Sequence, residues 1–150
     1  KNIVAIEKDR KIAEICKTNL ISISKGSNKE NQVKVICNDV LKFLKRGKDQ
    51  KGHTEGIVNH FDLVYFDPPY NSKIYESVLK NLLEGNWLKK DALVICEYST
   101  SILLDTPESW DEKDRRIYGS SSLLLITPQP TSTTVLIPGR HHEAYKSDRD

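Results

Sequence analysis

The sequence lacks methionine, the first of several absences that limit what this chain can be. Because translation starts on methionine, Lys1 is not a translation start, and we expect the 150 residues to be a piece of a longer protein. No apolar run approaches the roughly 20 residues that span a bilayer. The first residues do not resemble a signal peptide. The sequence therefore gives no indication of a membrane partner.

The net charge is small, and the few cysteines and histidines are not arranged as metal ligands. The net charge is only +2 at pH 7, so a nucleic-acid surface, if present, must be local. Cys16, Cys37 and Cys96 are far apart, form no CxxC pair and lie in apolar stretches. This pattern predicts buried free thiols in a reducing compartment. The four histidines have no Cys or carboxylate neighbours at metal-ligand spacing, so we expect no metal site.

Four short apolar runs alternate with segments of helical periodicity. The runs are nearly continuous, as in parallel strands buried on both faces, and cover residues 3–6, 33–37, 61–66 and 92–96. Three amphipathic helices are predicted between them, with apolar faces formed by Ile12, Ile15, Cys16, Leu20 and Ile23, by Val40, Leu41 and Leu44, and by Ile74, Val78, Leu79, Leu82 and Leu83. This alternation predicts an α/β fold with a doubly wound, mostly parallel sheet.

Polar residues predict where the helices begin and where this pattern ends. The candidate N-caps are Asp9 for the first helix, Asn38 or Asp39 for the second, and Asn71 or Ser72 for the third. The stretch "RRIYGSSSLLLI", residues 115–126, predicts an antiparallel hairpin at the edge of the sheet. We expect a polar loop over residues 46–59, one domain over residues 1–126, and a flexible polar tail over residues 127–150.

The stretch "FDLVYFDPPY" ends a predicted strand on Asp67. Ligands of open α/β sheets bind beyond the carboxyl ends of the strands, so Asp67 should face the ligand crevice. Pro68 and Pro69 fix two φ angles and remove two N–H donors, which leaves a stiff turn with free carbonyl acceptors. Asp67 and one such carbonyl could accept both hydrogens of an exocyclic amino group while Tyr70 stacks on the base. The alternative is a simple strand-ending turn, because Asp and Pro favour turns.

Two other predicted strands also end on polar side chains. The strand in "VAIEKD" ends on Glu7, the acidic position that binds ribose hydroxyls in nucleotide-binding α/β folds. The strand in "VICNDV" ends on Asn38 and Asp39, which could equally serve only as a helix cap. Three strand ends that close on a carboxylate, followed by a hairpin, favour a ligand site over three unrelated turns.

The sequence resembles the Rossmann-like S-adenosylmethionine-dependent methyltransferases that modify exocyclic amino groups. Within them it is similar to the RsmD-type small-subunit (16S) rRNA guanine-N2 methyltransferases. The resemblance covers residues 1–126 through "VAIEKDRKIAEICKTNL", "VICNDVLKFL", "FDLVYFDPPY", "NWLKKDALVICE" and "RRIYGSSSLLL". The DPPY motif is shared by many amino-methyltransferases, including those that act on DNA, whereas "RRIYG" and the "GNWL…ALVICE" spacing favour the rRNA branch.

The resemblance implies a role for each matching residue. Glu7 would bind the ribose of S-adenosylmethionine. Asn38, Asp39 and Val40 would also bind the cofactor, with the Asp39 carboxylate accepting from the adenine amino group and the Val40 N–H donating to its ring. Asp67 would border the cofactor and, with the Pro68 carbonyl, hold the guanine amino group, while Pro69 stiffens the turn and Tyr70 stacks on the base. Such alkyl transfer needs no metal, since in-line positioning supplies most of the catalysis.

The resemblance also implies a partner, which is small-subunit rRNA or a partly assembled ribosomal subunit. Lys73, Arg115 and Arg116 are the candidate phosphate contacts, with Lys73 favoured because it lies three residues beyond Tyr70, although for a single lysine solvated surface is the commoner role. A cytoplasmic or organellar monomer is expected. One alternative function is that of a DNA adenine-N6 or cytosine-N4 methyltransferase, whose usual target-recognition domain these residues leave no room for. The other is a noncatalytic nucleic-acid-binding relative that keeps DPPY as architecture.

The sequence departs from the family pattern before the Glu7 strand. The family places a strand and a glycine-rich loop there, and that loop cradles the methionine part of the cofactor. Neither is found in these residues. Because that strand would lie between the Glu7 and Asp67 strands, we expect its absence to weaken both sheet pairing and cofactor affinity.

Overall fold

A computed structural model describes residues 2–24, 32–46, 60–69 and 74–130 of the chain. The elements in chain order are β1 (Asn2–Glu7), α1 (Arg10–Ser24), β2 (Gln32–Cys37), α2 (Val40–Arg46), β3 (Phe61–Phe66), α3 (Tyr75–Glu84), β4 (Leu88–Ser99), β5 (Trp110–Tyr118) and β6 (Ser121–Pro128). Strands and helices alternate as far as β4, which confirms the predicted α/β fold. Most of the predicted loop and residues 131–150 of the predicted tail lie outside the described residues.

The strands form two separate sheets. β1 pairs in parallel with β2, from Asn2 opposite Gln32 to Glu7 opposite Cys37. The second sheet has the order β3-β4-β6-β5, in which β3 and β4 are parallel and the β5–β6 hairpin is antiparallel. In the part of the chain that the structure describes, β1 and β3 belong to different sheets.

Several strands are longer than their apolar runs. β4 begins at Leu88, four residues before the run at residues 92–96, and β5 begins at Trp110, before the predicted hairpin. β6 continues to Pro128, two residues beyond the predicted end of the domain. Hydrophobic patterning marks only the buried part of β4, whereas its earlier residues Lys89 and Lys90 are exposed, and the pairing with β3 shifts register between Leu88 and Leu93.

The hydrophobic core lies between the second sheet and the helices α2 and α3. Trp87 is fully buried at its centre, and its ring stacks on Phe43 at a centroid distance of 5.0 Å and on Phe61 at 6.3 Å. Half-buried side chains of β1, β2 and α2 also pack against this core, namely Ile6, Ile36, Val40 and Leu41. The two sheets are therefore joined through a shared core.

The predicted apolar face of α1 is partly wrong. Ala13 is buried and Cys16 is half-buried, but Ile15 is 61% exposed and Ile23 is 78% exposed. Ile12 is also exposed. The helix packs on β1 and β2, and two strands about 5 Å apart cover only a narrow stripe of a helix.

Two burial predictions for the strands and cysteines also need correction. β3 is buried on one face only, because Leu63 and Tyr65 are exposed while Val64 and Phe66 pack against the core. The prediction of buried thiols holds for Cys96, whose burial raises its pKa to about 12. Cys37 is exposed, since it ends the narrower two-stranded sheet.

The predicted caps are confirmed for the first two helices and wrong for the third. Asp9 caps α1, its Oδ1 accepting from the N–H of Lys11 at 2.8 Å and of Ile12 at 3.0 Å. The helix α3 has Ile74 as its N-cap, with no side-chain cap hydrogen bond, so neither Asn71 nor Ser72 is the cap. Tertiary contacts made by the Tyr75 side chain accompany this start: its hydroxyl donates to the Glu97 carbonyl at 2.8 Å and its ring meets Phe66 edge-on.

Among the described residues, no helix is long and apolar enough to cross a membrane.

Candidate functional site

The carboxyl ends of β1 and β2 bring Glu7 and Asn38 side by side. The backbone N–H of Asn38 donates to the Glu7 carbonyl at 2.9 Å, which extends the parallel pairing by one residue. The Glu7 carboxylate accepts the Asp9 N–H at 2.7 Å. A carboxylate has about four lone-pair sites. Glu7 is therefore oriented by its own loop and retains capacity for further donors such as ribose hydroxyls.

Asp39 is the N-cap of α2. Its Oδ1 accepts the Lys42 N–H at 3.0 Å, and its own N–H donates to the Asn38 side chain at 2.9 Å. Capping occupies one carboxylate oxygen, so capping and adenine binding are compatible roles for this residue. Val40 is the first residue of α2, and N–H groups at that position have no acceptor within the helix.

The Asp67–Pro68–Pro69 turn lies at the carboxyl end of β3. Phe66, the last residue of that strand, pairs with Cys96 of β4. Pro68 is buried, whereas Asp67 and Pro69 are exposed. The turn is therefore anchored by one proline and presents the carboxylate to solvent. Tyr70 and Lys73 lie outside the described residues, so their predicted roles stay predictions.

Glu97 of β4 interacts electrostatically with Asp67, and no role was predicted for it from the sequence. Its carboxylate accepts one hydrogen bond from the Tyr65 hydroxyl and another from the Ser121 hydroxyl, the latter at 2.8 Å. Its backbone carbonyl accepts the Tyr75 hydroxyl at 2.8 Å. The sequence contained a clue to this residue, because the apolar run in "ALVICE", residues 92–97, is followed directly by the carboxylate of Glu97.

The electrostatics of Asp67 and Glu97 are linked. Partial burial of the carboxyl raises the pKa of Asp67, and the negative charge of Glu97 raises it further. The hydrogen bonds from Tyr65 and Ser121 lower the pKa of Glu97. The hydrogen bond between Tyr65 and Glu97 also raises the pKa of Tyr65 to about 12. This end of the second sheet therefore presents two interacting carboxylates whose pKa values are shifted in opposite directions.

The two arginines of the hairpin are engaged in contacts with the protein. Arg115 forms a two-pronged pair with Glu112, at 3.0 and 2.8 Å, and donates to the Leu104 carbonyl at 3.0 Å. Arg116 pairs with Asp114 at 2.6 Å and is the more exposed of the two arginines. Contact with RNA phosphates stays a prediction for both, and Arg116 has the more accessible guanidinium.

Across residues 2–24, 32–46, 60–69 and 74–130, no group of three or more His, Cys, Asp or Glu side chains could hold a metal ion.

Comparison with known proteins decides the family. The family model described as conserved hypothetical protein 95 matches residues 1–127. This chain belongs to that family. Over 110 residues the chain is 34% identical to ribosomal RNA small subunit methyltransferase D of Haemophilus influenzae, covering 73% of this chain and 51% of the relative. Over 66 residues it is 38% identical to an uncharacterized methylase of Rickettsia prowazekii, covering 44% of this chain and 28% of the relative.

These matches confirm the resemblance to RsmD-type proteins. The chain spans about half the length of the Haemophilus influenzae relative and less of the Rickettsia prowazekii one.

Solved structures support the Rossmann-like fold of this member of the conserved hypothetical protein 95 family. A Haemophilus influenzae protein provisionally described as a methylase is 30% identical, with a TM-score of 0.66, and the match covers 87% of this chain and 74% of that one. Ribosomal protein L11 methylase from Lactobacillus delbrueckii subsp. bulgaricus has a TM-score of 0.60 at 14% identity, covering 87% of this chain and 59% of that one. The second likeness concerns the fold alone.

Proposed function

We propose that the complete gene product is an S-adenosylmethionine-dependent methyltransferase that modifies the N2 amino group of a guanine in small-subunit rRNA. The observation that carries this proposal is the Asp67–Pro68 turn, which presents an exposed carboxylate at the carboxyl end of a parallel strand. The chain's family and the name of its Haemophilus influenzae relative support the choice of rRNA as substrate. Such a substrate would place the protein in the cytoplasm or in an organelle that contains ribosomes.

The proposed reaction would form a bond between the amino nitrogen and the methyl carbon, break the bond between that carbon and the cofactor sulfur, which leaves as a neutral thioether, and release one proton from the nitrogen. The cofactor, when bound, supplies a methyl group made electrophilic by a positively charged sulfur. Asp67 and the Pro68 carbonyl would each accept one hydrogen of the amino group, and this arrangement orients the nitrogen lone pair. Positioning of this kind accounts for a large share of rate enhancement in group transfer.

The residues at the end of the first sheet fit the polar groups of such a cofactor. Glu7 is an oriented carboxylate suited to ribose hydroxyls, and Asp39 has acceptor capacity beyond its capping bond. The N-terminal N–H of α2 at Val40 is a donor suited to an adenine ring nitrogen. These are proposed contacts, supported by the chemistry of the donor and acceptor set.

The test uses the complete gene product with radiolabelled S-adenosylmethionine and either small-subunit particles or DNA. We expect label in RNA that digests to N2-methylguanosine, and loss of that label by a factor of about 100 or more in Asp67→Ala. Asp62→Ala is the matched control, because Asp62 lies on the same strand and its carboxylate is exposed and paired with Lys89. The control should retain activity.

Three results would overturn the proposal. Label in DNA would indicate a DNA amino-methyltransferase. Cofactor binding without transfer to any RNA would indicate a noncatalytic relative. Full activity in Asp67→Ala would show that the turn does not hold the amino group.

A further inference from the structure

Asp67 directly follows the last residue of β3, next to the register position of Glu97 in the neighbouring strand β4. Tyr65 pairs with Ile95 and Phe66 pairs with Cys96, so the next residues of the two chains are Asp67 and Glu97. Cys96 is fully buried, so Glu97, the next residue of β4, points to the opposite face of the sheet. The hydrogen bond from the Tyr65 hydroxyl places Tyr65 and Glu97 on the same face, and the negative charge of Glu97 acts on the Asp67 carboxyl and raises its pKa.

The contacts of Glu97 orient its carboxylate without saturating it. Tyr65 from β3 donates to Oε2, and Ser121 from β6 donates to Oε1. Each oxygen of a carboxylate has two lone-pair directions, so each can accept one more donor. Side chains of β3 and β6, the two strands that flank β4, therefore hold the Glu97 carboxylate in one orientation. Neighbouring strands are about 4.8 Å apart, which is the expected separation between the backbones of Glu97 and Asp67.

A ligand that presents two adjacent donors matches two adjacent acceptors. The Watson–Crick edge of guanine carries the N1–H beside the N2 amino group. Adenine and cytosine instead carry an unprotonated ring nitrogen beside their amino group, and its lone pair would face a carboxylate. The negative charges of Asp67 and Glu97 repel each other, so the two hydrogen-bond donors of a guanine edge stabilise the pair. The lone pair of an adenine or cytosine ring nitrogen would destabilise it further.

We propose that Glu97 is the residue that selects guanine, accepting the N1–H while Asp67 and the Pro68 carbonyl hold the N2 amino group. This inference rests on the proposed function and adds a specificity-determining residue to the same site. The juxtaposition that carries it is the parallel register of β3 and β4, with the Tyr65 and Ser121 hydroxyls fixing the Glu97 carboxylate.

The test compares guanine with 2-aminopurine, which keeps the 2-amino group but has no hydrogen on N1. After the target nucleotide is located with the wild-type gene product, small-subunit RNA is prepared with either base at that position. We expect the wild-type protein to prefer guanine in kcat/KM by at least about tenfold. In Glu97→Gln we expect kcat/KM for guanine to fall at least about tenfold and the preference over 2-aminopurine to shrink, since an amide can donate to N1.

Controls separate a substrate contact from a structural role. Glu108→Gln, an exposed glutamate in the loop before β5, should keep both the rate and the preference. Binding of S-adenosylmethionine to Glu97→Gln, measured by calorimetry, should match the wild type. An equal loss on both bases in Glu97→Gln would assign Glu97 a purely structural role and overturn the inference.

The wild-type protein alone also provides a test that does not depend on the folding of a variant. Equal kcat/KM on guanine and 2-aminopurine would overturn the inference while leaving the proposed function intact. No transfer to guanine N2 by the wild type would overturn the proposed function, and this inference with it. Transfer to guanine with a preference that Glu97→Gln reduces would support both.

Discussion

The indole N–H of Trp87 donates a 3.0 Å hydrogen bond to the backbone carbonyl of Leu44. Leu44 lies in the last turn of α2, where carbonyl oxygens receive no hydrogen bond from N–H groups of the same helix. Trp87 immediately precedes β4 and is fully buried, with its ring stacked on Phe43. One side chain thus satisfies a helix end and joins α2 to the second sheet.

Replacing Trp87 by Phe should destabilise the fold strongly. The substitution leaves the buried Leu44 carbonyl without its donor and opens a cavity beside Phe43 and Phe61. We expect the free energy of unfolding of the complete gene product to fall by about 2–4 kcal/mol. Urea unfolding followed by circular dichroism measures this change. A loss below about 0.5 kcal/mol, the usual range for surface substitutions, would contradict this account of the core.

Two glycines should respond to alanine for different reasons. A Cβ at Gly85 would lie 2.5 Å from the Trp87 ring and 2.8 Å from the Asn81 carbonyl oxygen, so the buried ring or the backbone would have to move. We expect Gly85→Ala to cost about 2–3 kcal/mol. Gly119 has open space around it but a φ of +59°, so Gly119→Ala should cost only about 1 kcal/mol.

The same unfolding experiment on both glycine variants checks the ranking. Gly119→Asn serves as a control for backbone strain, because Asn tolerates positive φ better than Ala and should cost less. If Gly119→Ala were less stable than Gly85→Ala, the expectation that the steric clash at Gly85 costs more than the positive φ at Gly119 would be wrong.

Acid should abolish the contribution of the Glu112–Arg115 pair. Hydrogen bonds from Arg115, and then from Thr106, lower the pKa of Glu112 from 4.5 to about 2. A carboxyl with a lower pKa in the folded state stabilises the fold above its unfolded pKa and loses that contribution as pH falls through the folded value. The Tm difference between wild type and Glu112→Gln should therefore be present at pH 7 and shrink between about pH 4.5 and pH 2.

The double variant Glu112→Gln, Arg115→Gln provides the control for this pH dependence. If the pair is responsible, the second substitution should add no pH-dependent change in this range to the effect of the first. A Tm difference that stays constant from pH 7 to pH 2 would contradict the assignment.

Substitutions of Asp39 should separate its capping role from its proposed role in adenine binding. Asp39→Ala removes the cap on the Lys42 N–H and should lower the free energy of unfolding by about 1 kcal/mol. Asp39→Ser keeps a capping oxygen but has no carboxylate, so it should retain stability. Both variants of the complete gene product should bind S-adenosylmethionine more weakly, as calorimetry can measure. Normal binding by Asp39→Ser would confine Asp39 to helix capping.

Local sequence signals predicted the elements that depend on nearest neighbours. The run at residues 61–66 coincides with β3, and the Asp9 and Asp39 caps are where the pattern placed them. The Gly119 turn also joins two antiparallel strands as predicted. Each of these features arises from a few consecutive residues, through alternation, capping or a backbone conformation that glycine favours.

The errors occurred where distant parts of the chain decide the outcome. The exposure of Ile15 reflects how narrow the two-stranded sheet beneath α1 is, and periodicity within a helix contains no information about its partner. The start of α3 at Tyr75 accompanies contacts of that side chain with Glu97 and Phe66, residues that the local capping pattern does not include.

The sequence by itself determined the order of strands and helices and the polar residues that close the parallel strands, because apolar patterning and helix caps are local properties. Only the tertiary structure decided that Glu97 stands beside Asp67, held by Tyr65 and Ser121. Tyr65 and Ser121 are 32 and 24 residues from Glu97 along the chain. They meet it because strand register is set by pairing across the sheet, where a shift of one residue would turn every side chain to the other face.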